Sequence, residues 1–123
     1  MGRLIVDGSN VMGARPDGWW RDREAARTRL TVAIDEAAPA LAATLLGDPE
    51  AAVVVVHDGP EIEMQLLRVH VRFAPDADEL IAGLAQPDDL VVTSDRELAR
   101  RAAAAGAATI GAGRLRRLLD QAE

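Results

Sequence analysis

Six acidic residues stand at or just after apolar runs that read as strands, or at the helix starts beside them: Asp7, Asp58, Asp76, Asp78, Glu79 and Asp95. Parallel strands place all their carboxyl ends on one edge, the edge at which open α/β sheets bind ligands. Carboxylates gathered there repel one another, and at least one would have a raised pKa. A hard divalent cation removes that cost. Mg²⁺ takes oxygen ligands, keeps several waters and is often shared between protein carboxylates and substrate phosphates. Such a group is suited to metal-assisted phosphodiester cleavage, in which water is activated and charge developing on phosphate is offset. Asp76 with Glu79, and Ser94 with Glu97, also have the spacing of helix-capping pairs. We therefore assign Asp76 and Glu97 to capping, and Asp7, Asp78 and Asp95 to chemistry, since three separate segments bring them to one edge. Asn10 can turn its amide back toward Asp7. His57 is read as the last residue of its strand, not as a ligand.

The elements that must position these residues follow from the pattern. Leu4-Ile5-Val6, Ala52 to Val56 and Leu90-Val91-Val92 are short β-branched or apolar runs, the mark of strands buried on both faces. Val69, Val71 and Phe73 alternate with Arg68, His70 and Arg72, as expected of a half-exposed edge strand. Ala107 to Ile110 makes a last short strand. Between them, Arg21 to Glu36, Asp76 to Ala85, Arg96 to Ala105 and Arg114 to Asp120 suit helices. Leu30, Ile34, Ala37 and Leu41 form the buried stripe of the first. Pro39 is expected to kink or split that helix, Gly47-Asp48-Pro49 to end it, and Val11 to Gly18 to form a loop. The alternation predicts a three-layer α/β/α sandwich with a mainly parallel central sheet, formed by residues 1–123 as one domain.

Composition narrows the function classes. The chain has 123 residues and no cysteine, which excludes disulfides, thiol nucleophiles and cysteine-bound zinc. No apolar run reaches the roughly 20 residues needed to span a bilayer, and no leader pattern opens the chain, so a cytoplasmic protein without membrane association is expected. All 14 basic residues are arginine, and the net charge is −6. An overall acidic protein is a poor non-specific nucleic-acid binder, so any contact with phosphate must be local. Aromatic residues are Trp19, Trp20 and Phe73, too few for a broad base-stacking platform. The two tryptophans are expected to give one core anchor and one half-exposed ring.

Ile5-Val6-Asp7-Gly8-Ser9-Asn10-Val11, Ala77-Asp78-Glu79-Leu80-Ile81 and Val91-Val92-Thr93-Ser94-Asp95-Arg96-Glu97-Leu98-Ala99, in that order and spacing, resemble the NYN domain. Together with Gly13 to Arg23, they resemble its YacP-like branch within the PIN-like nuclease superfamily. The resemblance spans nearly the whole chain. It implies a PIN-like fold and endoribonuclease activity dependent on Mg²⁺ or Mn²⁺. It implies that Asp7, Asp78 and Asp95 bind the metal, that Asn10 helps to position it, and that Ser94 is the small polar residue beside the last acid. Glu79 falls at the second acid of an Ala-Asp-acid pattern and is implied as an auxiliary, and Asp58 matches the acid after the second strand. Ser9 stands where tyrosine is frequent, and His57 where an apolar residue is common; neither departure removes a ligand.

Two other functions remain open beside the ribonuclease: a non-catalytic RNA- or ribosome-binding module of the same fold, and a toxin-type PIN nuclease. RNA is the expected partner in the first two. Arg15, Arg21 and Arg23 after the first loop, and Arg114 and Arg116 after the last strand, are the expected RNA-binding residues, because a guanidinium donates a bidentate fork to phosphate. The competing use of these arginines is pairing with Asp22, Glu24 and Asp120 on the surface.

Overall fold

The structure, a computed structural model, describes residues 2–122. Five strands, β1 (Leu4–Asp7), β2 (Val53–Asp58), β3 (His70–Ala74), β4 (Leu90–Val92) and β5 (Ala108–Ile110), form one sheet in the order β3-β2-β1-β4-β5. Every pairing is parallel. The runs read as doubly buried strands occupy the centre: Leu4, Ile5, Val6, Val53, Val55, Val56, Val91 and Val92 are shut off from solvent. The alternating segment lies at an edge, as its pattern requires.

Successive residues of a strand face opposite ways, and the two cores follow that alternation. Leu4, Val6, Val53, Val55 and Val92 pack with Val11, Leu30, Ile34, Leu41 and Leu115. These come from helices α1 (Gly8–Gly13), α2 (Arg23–Leu46) and α5 (Ala112–Ala122). Ile5, Val54, Val56 and Val91 pack with Ala77, Ile81, Leu98 and Ala102 of α3 (Ala77–Leu84) and α4 (Arg96–Ala104). This is the expected three-layer sandwich.

Two local expectations are corrected. Gly8–Gly13 is helical where Val11 to Gly18 was expected to be loop; Asp7 caps this helix, accepting from the Asn10 N–H at 3.3 Å. Pro39 lies inside α2, which runs on to Leu46. A proline costs an interior helix about 3 kcal/mol; burial of Ile34, Ala38, Leu41 and Ala42 on both sides of it holds the helix together. Trp19–Arg21 is a separate 3-10 turn, with Trp19 packed against the core and Trp20 exposed.

The link from β2 to β3 contains no helix. It returns to the start of β3 through residues 59–69, fixed by one buried side chain: the Asp35 carboxylate on α2 accepts the backbone N–H groups of Leu67, Arg68 and Val69 at 3.0, 2.7 and 2.8 Å. Among the described residues no helix is long and apolar enough to cross a membrane.

Candidate active site

The carboxyl edge gathers four of the acids. β1 delivers Asp7, which is buried although it is charged in water. Its Oδ2 accepts the Thr93 hydroxyl at 2.9 Å. The same Thr93 oxygen accepts the Asp95 N–H at 3.1 Å, so one hydroxyl ties the first acid to the last. β2 ends in Asp58, whose Oδ1 accepts the Ala77 N–H at 2.8 Å and so docks the start of α3. Asp78 follows in the first turn of that helix. Asp95 caps α4 through one oxygen, Oδ1, which accepts from Glu97 and Leu98.

Proximity is written in the acidities. Burial, first, and then Asp78 and Asp58 push the Asp7 carboxyl up to about 6, against hydrogen bonds from Thr93 and Asn10 that favour its charged form. The Asp78 carboxyl is also raised, by burial and then by Asp95, Asp58 and Asp76. Among the described residues no cationic side chain is a leading influence on Asp7, and on Asp78 the opposing pull of Arg101 ranks below burial and the three acids.

The polar residues around the acids are held in turn. The Asn10 side-chain oxygen accepts the Ser94 N–H at 2.7 Å, which fixes the amide so that its NH₂ is the free end. The Ser94 hydroxyl accepts the Ala112 N–H at the start of α5, and the Ser9 hydroxyl accepts the Asp58 N–H. Ser9, Asn10, Gly13, Ala14, Ser94 and Gly113 line an open groove beside them.

Other residues singled out in the sequence are engaged elsewhere. Glu79 is exposed and forms a two-pronged pair with Arg101 at 2.9 and 3.1 Å. Asp76 caps α3, as expected, accepting the Glu79 N–H. The expected Ser94–Glu97 capping pair does not form: Asp95 takes the cap, and Glu97 pairs with Arg100. Arg15 forks onto Asp120 at 3.0 and 2.6 Å. Arg116 is largely buried, donates to the Val11 and Met12 carbonyls that end α1, and lies 3.8 Å from Asp17. Arg23 covers the Trp19 ring at 5.5 Å. Arg21 closes the 3-10 turn, and Arg114 lies in the first turn of α5. Thr93 was missed; its signal was a hydroxyl directly after the Leu90-Val91-Val92 run and two residues before Asp95.

Oxygen donors from four elements suit a hard cation. Among the described residues no three His, Cys, Asp or Glu side chains converge closely enough to enclose one. The set therefore fits an ion held by one or two carboxylates with the rest of its shell in water or phosphate, the usual habit of Mg²⁺, and not a closed protein cage.

No protein-family model matches the chain, and no curated protein sequence does. Solved structures do. The chain is similar to Rae1 (YacP) from Bacillus subtilis, with 29% identity and a TM-score of 0.71 over 99% of this chain and 75% of that one. A point variant of the same protein gives 30% identity and a TM-score of 0.73 over 99% of this chain and 77% of that one.

Proposed function

This chain belongs to the YacP family, and from that premise we propose that it is a divalent-metal-dependent endoribonuclease of the NYN, PIN-like type. The observation that carries the reading is the uncompensated group at the carboxyl edge, with Asp7 buried and raised to about 6. A structural acid gains nothing from such a place, whereas a perturbed carboxylate among others at a ligand-binding edge is the mark of a functional group.

One or two of Asp7, Asp78 and Asp95 would hold Mg²⁺ or Mn²⁺ directly and the remainder would reach it through its waters, with Asp58 beside them. When bound, the ion lowers the pKa of its water and offsets charge on the phosphodiester. The chain's own residues do the rest. Thr93 fixes Asp7 and Asp95 relative to each other. Asn10, anchored through its oxygen on Ser94, presents its NH₂ as a donor to a phosphate oxygen. Ser94 locks α5 to this edge and keeps the groove's shape. Glu79, held by Arg101, supports the outer face of α3. RNA, free or on the ribosome, is the substrate, in keeping with a protein of the cytoplasm.

The lack of three converging donors favours one alternative, an RNA- or ribosome-binding module without catalysis. Cleavage decides between them. Purified protein is incubated with single-stranded and structured RNA, with Mn²⁺ or Mg²⁺ and then with chelator. The expected result is metal-dependent cleavage, reduced at least about 100-fold by Asp7→Asn or Asp95→Asn, the scale of losing a positioned charged group at a reacting centre. Wild-type protein that cleaves nothing would return the chain to the binding module, and variants that cleave as well as the wild type would take the chemistry away from these acids.

A further inference from the structure

An acidic protein needs a local cation to hold a phosphate, and most arginines near the carboxyl edge are already occupied. Arg15 is paired with Asp120, Arg101 with Glu79, Arg100 with Glu97, and Arg116 with the carbonyls of α1. Arg27 differs. It lies one turn into α2, its guanidinium lies against Gly59, and Gly59 directly follows Asp58. A Cβ on Gly59 would lie 3.4 Å from Arg27 Nη2 and 3.6 Å from Cζ. Gly59 has a φ of 111°, so glycine is also required by the backbone. Arg27 is half-buried, and its Nε is buried with no hydrogen-bond partner. Among the described residues no carboxylate pairs with it.

The neighbouring histidine does not neutralise this cation. His57 is fully buried, stacked on Phe73 with ring centroids 5.7 Å apart. The Thr31 hydroxyl gives its single proton to the Arg27 carbonyl at 2.7 Å. The 2.8 Å contact from Thr31 to His57 Nε2 must then be donated by the ring. His57 Nδ1 is left as a bare acceptor, buried and without a partner, against Gly8. The Arg27 guanidinium is thus partly desolvated and short of an acceptor, beside the end of β2.

We propose that Arg27 is the arginine that grips an RNA phosphate beside the acidic group, a role that rests on the ribonuclease reading above. Nη1 and Nη2 are not buried with Nε and, among the described residues, have no carboxylate beside them, and a phosphate oxyanion is the acceptor such a guanidinium edge satisfies best. The Arg27 side chain crosses from α2 to the residue after Asp58, which places the cation on the flank of the acids and not among them.

The test uses the full chain carrying Asp7→Asn, so that RNA stays whole, and a fluorescein-labelled single-stranded RNA across a salt series. Adding Arg27→Gln is expected to weaken binding at least tenfold and to lower the salt slope by about 0.7, the value for one lost contact on a single strand. Arg27→Lys keeps the charge but loses the fork, so it should keep the slope and lose affinity. Variants that bind with the parent's affinity and slope overturn the proposal and leave Arg27 Nε to a buried water. Should Arg27→Gln fail to fold, the lysine variant decides: parental affinity overturns the proposal, and weakened binding at an unchanged slope supports it. Mn²⁺-dependent cleavage by the chain with Asp7 intact is measured beside it. Arginine-dependent binding without cleavage removes the ribonuclease reading alone; cleavage with arginine-independent binding removes the Arg27 role alone.

Discussion

The two ends of the central sheet treat buried aspartates in opposite ways. At the amino edge, Asp89 is buried and fully answered. It accepts the Arg3 backbone N–H at 2.9 Å, the Arg3 guanidinium through both oxygens, and the Gln86 N–H at 3.0 Å. Burial pushes the Asp89 carboxyl up, but Arg3 and these donors outweigh it and hold it below the ordinary carboxylate range. At the carboxyl edge, Asp7 is as deeply buried and has two donors but no cation, while Asp78 and Asp58 repel it. The same residue type under the same burial therefore serves stability at one end and stores repulsion at the other. Asp35 repeats the amino-edge pattern within α2: burial raises it, and three backbone donors lower it further. The contrast separates acids that build the fold from acids left without a compensating cation.

Breaking the amino edge should have the largest effect on stability. Asp89→Ala leaves the partly exposed Arg3 without its partner, and the Arg3 and Gln86 N–H groups without acceptors. The expected loss is about 3 kcal/mol in urea unfolding at pH 7. The sign follows from the lowered acidity: this stability is present above the unfolded carboxylate pKa and fades as the pH falls through the folded one. A variant as stable as the parent at pH 7 would mean that the pair is decorative.

The carboxyl edge should respond with the opposite sign. Asp7 titrates at about 6 in the fold against 3.8 for an ordinary aspartate. Its proton stabilises the fold fully below the unfolded value, and that contribution is lost as the pH rises through about 6. Asp7→Asn, without divalent cation, should therefore gain on the wild type between pH 4 and pH 8, by roughly 2 kcal/mol at the upper end. Melting curves that run parallel across that range would remove the claim that Asp7 is strained.

Much of this arrangement could be read from residue order. The strands at Leu4-Ile5-Val6, Ala52 to Val56 and Leu90-Val91-Val92 are legible because burial on both faces demands unbroken apolar runs. Their parallel pairing then brings Asp7, Asp58, Asp78 and Asp95 to one edge. What stayed hidden depends on contacts far apart in sequence. Pro39 signals a break, yet packing on both sides carries α2 through it. Ser94 and Glu97 have capping spacing, but Asp95 is nearer the helix start and Ser94 is claimed by Ala112. The clusters holding Arg15 and Arg116 suggest phosphate contacts, whereas Asp120 and the end of α1 take both. Thr93 meets a partner 86 residues away and Arg27 lies across from α2 against Gly59, contacts no local pattern encodes.

The most direct test of the carboxyl edge is the effect of Mn²⁺ on melting temperature at pH 8, measured for the wild type, Asp7→Asn, Asp78→Asn and Glu79→Gln. An ion that binds only the folded state at 100 times its Kd stabilises by about 2.7 kcal/mol. The wild type and Glu79→Gln should rise together by several degrees with millimolar Mn²⁺, since both Glu79 oxygens are already engaged by Arg101. Asp7→Asn and Asp78→Asn should lose most of that rise. A wild type whose melting temperature does not respond to Mn²⁺, or an Asp7→Asn variant that responds as fully as the wild type, would contradict a metal site at this edge.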